Sequence, residues 1–177
     1  MLSPLMLCST VFKKVILFKY IAPSRYLVEP IVRTVHERDI DDIYEIEVKC
    51  FPRDAYPKGL LSYYLMLSKD TSFVIEVDSK VVGYIIILIR WRKLGHVLSL
   101  AVDPQYRGKG YGRFLLREAI KRVSREHGVE VFRLEVRASN IPAIKLYKSL
   151  GFQYGLLRPG YYQDGEACYV MFLRKYI

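Results

Sequence analysis

The chain has 177 residues, 51% of them apolar, with 28 Lys and Arg against 18 Asp and Glu for a formal charge of +10. That length and apolar share exclude an intrinsically disordered chain and suit one domain with a sizeable core. The basic balance draws polyanions in general (nucleic acid, an acidic peptide, cofactor phosphates) and selects none of them, while Cys8, Cys50 and Cys168, far apart in the chain, lack the paired spacing of zinc sites and disulfide frameworks and fit a reducing cytoplasm.

Residues 1 to 30 carry Lys13, Lys14, Lys19 and Arg25 against Glu29, a net +3, which leaves +7 on residues 31 to 177. Lysines interrupt the apolar stretch from Val11 to Ala22, so it neither spans a bilayer nor has the layout of a signal peptide. Residues 1–30 therefore read as an N-terminal extension to a domain of residues 31–177, with no membrane contact expected. Ile31 to Val35 has the length and β-branching of a strand. From Asp39 to Phe51, Ile40, Ile43, Tyr44, Ile46 and Val48 recur at helical spacing with acids early in the segment, and Pro52 ends the helix. Past the loop Pro52 to Pro57, a short helix covers Lys58 to Leu67. Ser72 to Asp78 and Val81 to Ile89 form a β-hairpin about a turn at Ser79-Lys80, and a strand comes next from His96 to Val102. Beyond the glycine-rich stretch Asp103 to Gly112, Leu115, Leu116, Ala119, Ile120 and Val123 make the apolar stripe of an amphipathic helix that Gly128 closes. Val131 to Arg137 alternates as a strand. Asn140 with Pro142 starts a helix over Ile141 to Leu150, which Gly151 stops, and strands near Phe152 to Leu157 and Ala167 to Leu173 complete the chain. The order β, α, α, β, β, β, α, β, α, β, β predicts an α/β domain: a mixed sheet of about seven strands flanked by about four helices.

Strand, glycine-rich turn and helix in succession aim backbone N–H groups at a phosphate, because glycine permits close approach and a helix N-terminus leaves donors unpaired. Arg107, Gly108, Lys109, Gly110, Tyr111 and Gly112 fit that arrangement. Their spacing matches neither a P-loop nor a dinucleotide fingerprint, whose third glycine is replaced by Arg113, which disfavours nucleoside triphosphates and NAD. The stretch does match the [QR]xxGx[GA] pyrophosphate segment of the GNAT acetyltransferases, and it stands after a strand ending Leu98-Ser-Leu-Ala-Val-Asp-Pro104 as it does in that family. Downstream, Leu134-Glu-Val-Arg-Ala-Ser-Asn140 and Ala143-Ile-Lys-Leu-Tyr-Lys-Ser-Leu-Gly-Phe152 resemble the RimI-like ribosomal-protein N-acetyltransferases and the archaeal N-terminal acetyltransferases. The resemblance covers residues 31 to 177. It implies the GNAT fold, with two parallel strands (here His96–Val102 and Val131–Arg137) splayed where acetyl-coenzyme A and an acceptor amine meet.

Acetyl transfer needs a neutral amine, stabilisation of a developing oxyanion and a proton for the departing thiolate. The resemblance implies that Tyr147 is the acid toward sulfur, and a phenol of pKa about 10 holds its proton at neutral pH; the same residue sits on one helix face with Ala143 and Leu150, as a core aromatic would. Alternation sets Arg133, Glu135 and Arg137 on one side of their strand, so Glu135 is either an ion-pair partner of those arginines or the base that takes the amine proton. His96 and Asp54 are the other two candidates for that base. Backbone N–H groups of Leu100, Ala101 and Val102 are nominated for the oxyanion, and the cofactor set is those three with Arg107 to Gly112, Asn140 and Tyr147. No metal is expected.

An α-amine of pKa about 8 is roughly a tenth neutral at pH 7, against less than about a thousandth for lysine, so a weak or water-mediated base suffices for a chain N-terminus. By resemblance, Asp54 and Tyr56 in the first loop and Tyr161, Tyr162 and Glu166 in the last hairpin grip the first residues of a peptide, with Glu135 beside them. The expected activity is N-α-acetylation of proteins in the cytoplasm, on ribosomal proteins or on nascent chains at the ribosome, by a monomer or weak homo-oligomer. Two alternatives stand: a GNAT enzyme for lysine side chains, polyamines or small amines, and a non-catalytic module that binds coenzyme A or nucleic acid.

Overall fold

The computed structural model describes residues 29–91 and 93–175, so most of the expected 1–30 extension, including Cys8, lies outside the described residues. Seven strands form one mixed sheet in the order β1-β2-β3-β4-β5-β7-β6. In chain order these are β1 (Ile31–Thr34), β2 (Phe73–Val77), β3 (Lys80–Arg90), β4 (Leu94–Val102), β5 (Val131–Arg137), β6 (Gln153–Arg158) and β7 (Cys168–Arg174). The helices are α1 (Ile40–Cys50), α2 (Lys58–Leu67), α3 (Tyr111–His127) and α4 (Ile141–Ser149), with 3-10 turns at Glu37–Asp39 and Pro104–Tyr106.

Two apolar cores sandwich the sheet. On one face α3 buries Leu115, Leu116, Ala119, Ile120 and Val123, the stripe its periodicity predicts, against Val82, Ile85, Ile87, Val97, Phe132, Leu134 and Val136, with Ile144 and Tyr147 of α4 in the same cluster. On the other face Ile43 and Ile46 of α1 and Leu61 and Leu65 of α2 pack on Val74, Val81, Tyr84, Ile86 and Ala101. β3 is buried over nearly its whole length because helices cover both of its faces.

The expected elements shift at their ends. The β2–β3 turn is Asp78-Ser79, not Ser79-Lys80: both residues have positive φ (51° and 60°), as a two-residue primed turn requires, and Val77 pairs with Lys80. β4 begins at Leu94, two residues before the expected His96, because it pairs there with both Arg90 and Val131. Asp39 belongs to the 3-10 turn ahead of α1; its carboxylate accepts the His36 N–H at 2.8 Å and pairs with Arg33 at 2.6 Å, which ties the entry of α1 to β1.

Two irregularities in β4 open the sheet. Its pairing with β3 slips so that Ile86 faces Ser99 and Ile87 faces Val97, a bulge at Leu98. A bulge re-aims side chains: Val97 and Leu100 pack on the α3 side, whereas Leu98 and the next residue, Ser99, both face the α1 side. Parallel pairing of β4 with β5 also stops after Leu94, Gly95, His96 and Val97 meet Val131, Phe132, Arg133 and Leu134. Both strands continue beyond that point unpaired with each other, and between them lies a fork.

Candidate functional site

A cleft of about 510 Å³ occupies the fork, lined by β4 from His96 to Leu100, β5 from Leu134 to Arg137, the loop after α1, the start of α4 and the β6–β7 loop. Asp103 N–H donates to Val82 of β3 at 2.9 Å. Strand alternation therefore turns the N–H groups of Val102 and Leu100 away from β3 and toward the fork, and that of Ala101 back toward β3. Of the three amides nominated for an oxyanion, those of Leu100 and Val102 face the fork and that of Ala101 does not.

At the open end of β4 the chain runs through Arg107 to Gly112 into α3. Gly108 and Gly110 have φ of +78° and +83° with open space where a Cβ would stand, so backbone conformation rather than crowding calls for glycine. The first helical bond of α3 is Phe114 N–H to Gly110 C=O at 3.0 Å, which leaves the N–H groups of Tyr111, Gly112 and Arg113 without helical partners. Those donors, at the positive end of a 17-residue helix, suit a diphosphate. The Arg107 side chain folds inward: Nε donates to Val102 C=O at 3.1 Å and Nη2 to Cys50 Sγ at 3.1 Å. Lys109 lies over the Tyr106 ring at 5.3 Å. Asn140 lines the cleft and caps α4 by accepting the Ala143 N–H at 3.2 Å.

Two of the three candidate bases stand together. His96 Nε2 and Glu135 Oε2 are 2.7 Å apart across the last rungs of β4–β5 pairing, and Arg133 also bonds Glu135. Burial acts to raise the Glu135 pKa, but the His96 hydrogen bond and the His96 and Arg133 charges outweigh it, and the carboxyl sits below its ordinary 4.5. Tyr147 lines the same cleft from α4, buried beside Phe152 with ring centroids 5.8 Å apart. Burial pushes its phenol up to about 12.

Asp54, the third candidate base, lines the same cleft but is bonded to Arg137 and not to the His96–Glu135 pair. Its carboxylate accepts from Arg137 Nε and Nη2 at 2.9 and 2.7 Å, while Arg137 Nη1 bonds Asp164 at 2.9 Å and Glu166 at 2.6 Å. Glu166 also accepts the Ser139 N–H at 2.9 Å, and hydrogen bonding from the Ser139 side chain and N–H together with Arg137 holds its carboxyl down to about 2. Asp54 and Glu166 thus line the cleft while engaged with protein donors. Tyr56, Tyr161 and Tyr162 line it too; Tyr161 and Tyr162 pack edge to face at 5.1 Å, and burial lifts the Tyr56 phenol to about 12.

Sequence reasoning missed Glu47. Its carboxylate, 1% exposed on the floor of the cleft, accepts from Tyr56 N–H at 2.9 Å, from Tyr84 OH, and from Ser99 Oγ at 3.5 Å. Burial raises its pKa against those donors. An acid on the apolar face of α1, one position after Ile46, was the visible signal. Among the described residues no group of three or more His, Cys, Asp and Glu side chains is placed to hold a metal ion, and no helix is long and apolar enough to cross a membrane.

The sequence and the fold have counterparts in known proteins. Residues 40–152 match the model of the Acetyltransferase (GNAT) family. An N-alpha-acetyltransferase of Sulfurisphaera tokodaii is 39% identical over 151 residues, which covers 79% of this chain and 90% of that protein. Among solved structures, Ard1 from Thermoplasma volcanium superposes with a TM-score of 0.78 at 28% identity, covering 84% of this chain and 99% of the other. The ribosomal-protein-S18-alanine N-acetyltransferase from Escherichia coli gives 0.74 at 28%, over 82% and 94%. A family match over most of the domain, a relative at this identity and a shared fold lead to one conclusion: the chain belongs to the GNAT family of acetyltransferases.

Proposed function

We propose that this enzyme transfers an acetyl group from acetyl-CoA to the α-amine at the N-terminus of a protein, with donor and acceptor bound together in the fork. The observation that carries the reading is the Glu135–His96 pair at 2.7 Å facing a cleft walled by Tyr56, Tyr161 and Tyr162. When bound, acetyl-CoA supplies a thioester activated for attack by an amine. The protein's part is to accept and donate protons and to orient the reactants. Glu135, with His96 fixed against it, takes the amine proton directly or through water, and an α-amine of pKa about 8 asks little of that base. Tyr147, protonated at every physiological pH, holds the proton destined for the sulfur. Amides at the start of α3 would hold the diphosphate, the Leu100 and Val102 N–H groups that face the fork would stabilise a developing oxyanion, and the tyrosines offer flat surface and hydroxyls to a peptide backbone. Relatives named for N-α-acetylation and for acetylating a ribosomal protein support the same reading.

The direct test presents acetyl-CoA with short peptides bearing a free N-terminus, with the same peptides blocked at that end but carrying an internal lysine, and with polyamines. Transfer confined to free α-amines supports the proposal; transfer to lysine or polyamines alone sinks it. The loop assignment has its own check. Gly110→Pro cannot adopt φ of +83°, so the loop must be rebuilt, and acetyl-CoA binding by calorimetry is expected to weaken by about tenfold or more. Unchanged affinity would move the diphosphate elsewhere.

A further inference from the structure

We propose that Arg137 is a positioning residue that holds the two peptide-facing walls, the loop 52–57 and the β6–β7 loop, at a set separation across the mouth of the cleft. The inference rests on the N-terminal acetyltransferase reading for its kinetic consequence, though not for its structural one.

Arg137 stands on β5 two residues beyond Glu135 and on the same face, so it is carried by the framework that carries the base. From there its guanidinium reaches both ways. Nε and Nη2 take Asp54 of the first loop, and Nη1 takes Asp164 and Glu166 of the second. The guanidinium carbon lies 3.8 Å from the centre of the Tyr162 ring, and all four charged side chains of the cluster are between 19% and 34% exposed. Each loop is rooted separately: the first through Tyr56 N–H on Glu47, the second through Glu166 on Ser139 N–H and through Tyr161 and Tyr162 N–H on the Glu166 carbonyl. Between the loops, among the described residues, the hydrogen-bonded and ionic links run through Arg137, apart from a 3.7 Å contact of the exposed Arg53 with Asp164. Exposed pairs of that kind contribute little.

The chemistry is specific to arginine. A planar fork can serve carboxylates on two sides while stacking on an aromatic ring, which a lysine ammonium cannot do. The charge balance gives the clasp a direction: without Arg137, Asp54, Asp164 and Glu166 are like charges gathered at one point, and repulsion drives the loops apart instead of merely freeing them. Asp54 and Glu166 then shape the aperture through Arg137.

The test uses the full chain with Arg137→Gln and Arg137→Lys, read by amide hydrogen exchange and by kinetics on a free-amine peptide. In the Gln variant, exchange in segments 51–57 and 159–167 is expected to rise together by about tenfold while 108–127 is unchanged; KM for the peptide rises about tenfold, kcat moves less than about threefold, and calorimetry gives the wild-type acetyl-CoA affinity. Lys restores part of the KM. Faster exchange in one loop only or in neither, or a fall in kcat at constant KM, overturns the proposal. If the Gln variant fails to fold, Asp54→Asn serves: exchange is expected to rise in 51–57 alone with a higher peptide KM, and unchanged exchange there overturns it. If the wild type acetylates no peptide, the proposed substrate is wrong, yet the exchange results still decide the clasp.

Discussion

Glu135→Gln is expected to lower kcat/KM for a free-amine peptide by about 100-fold at pH 7, about 2.7 kcal/mol of barrier. Gln keeps the shape and an acceptor for His96 but cannot take a proton. The pH dependence separates this role from a structural one. The Glu135 carboxyl lies below 4.5 because the His96 bond and neighbouring positive charges outweigh its burial, so it is ionised across the neutral range. The acceptor amine, near pKa 8, is mostly protonated at pH 7 and mostly free at pH 9. A missing base therefore matters most at low pH, and the deficit of the variant should shrink as pH rises from 6.5 to 9. A deficit that stays constant over that range, or no deficit, would remove Glu135 from proton transfer.

Tyr147→Phe is expected to lower kcat by about 10- to 100-fold while leaving peptide KM and acetyl-CoA affinity within about twofold of wild type. No described residue accepts a hydrogen bond from the Tyr147 hydroxyl, and the ring packs on Phe152, so Phe preserves the packing and deletes only a proton donor into the cleft. With burial raising the phenol to about 12, the donor is fully protonated wherever the enzyme works. Leaving groups test the assignment: an acetyl thioester of a more acidic thiol needs less help from an acid, and the defect should diminish with it. Equal kcat for variant and wild type would reassign the acid.

The order of elements was legible in the sequence because period and punctuation agree. The five apolar positions of α3 are the ones it buries, and Asn140 caps α4 with Pro142 just inside. The outward face of β5 was legible too, since Arg133, Glu135 and Arg137 alternate with Phe132, Leu134 and Val136, which the strand buries. What stayed hidden is what depends on long-range register. The bulge at Leu98 arises from how β4 meets β3, not from any residue in Leu98-Ser99-Leu100, and without it Ser99 would point away from Glu47 and Tyr84. Glu47 read as one acid among several on α1 because its partners come from 9, 37 and 52 residues away. The gathering of Asp54, Asp164 and Glu166 on Arg137, from up to 83 residues away, was hidden for the same reason.

Only four residue pairs join β4 to β5 before the strands part. The domain is therefore two subassemblies, β1 to β4 with the first two helices and β5 to β7 with the last, joined by that short seam, by the core they share with α3 and by side-chain links such as Arg137–Asp54. Whatever sits in the gap takes the place of the absent rungs and braces both arms against one another. Such a guest stabilises the native fold by RT ln(1 + [L]/Kd), so the melting temperature is expected to climb with the concentration of acetyl-CoA.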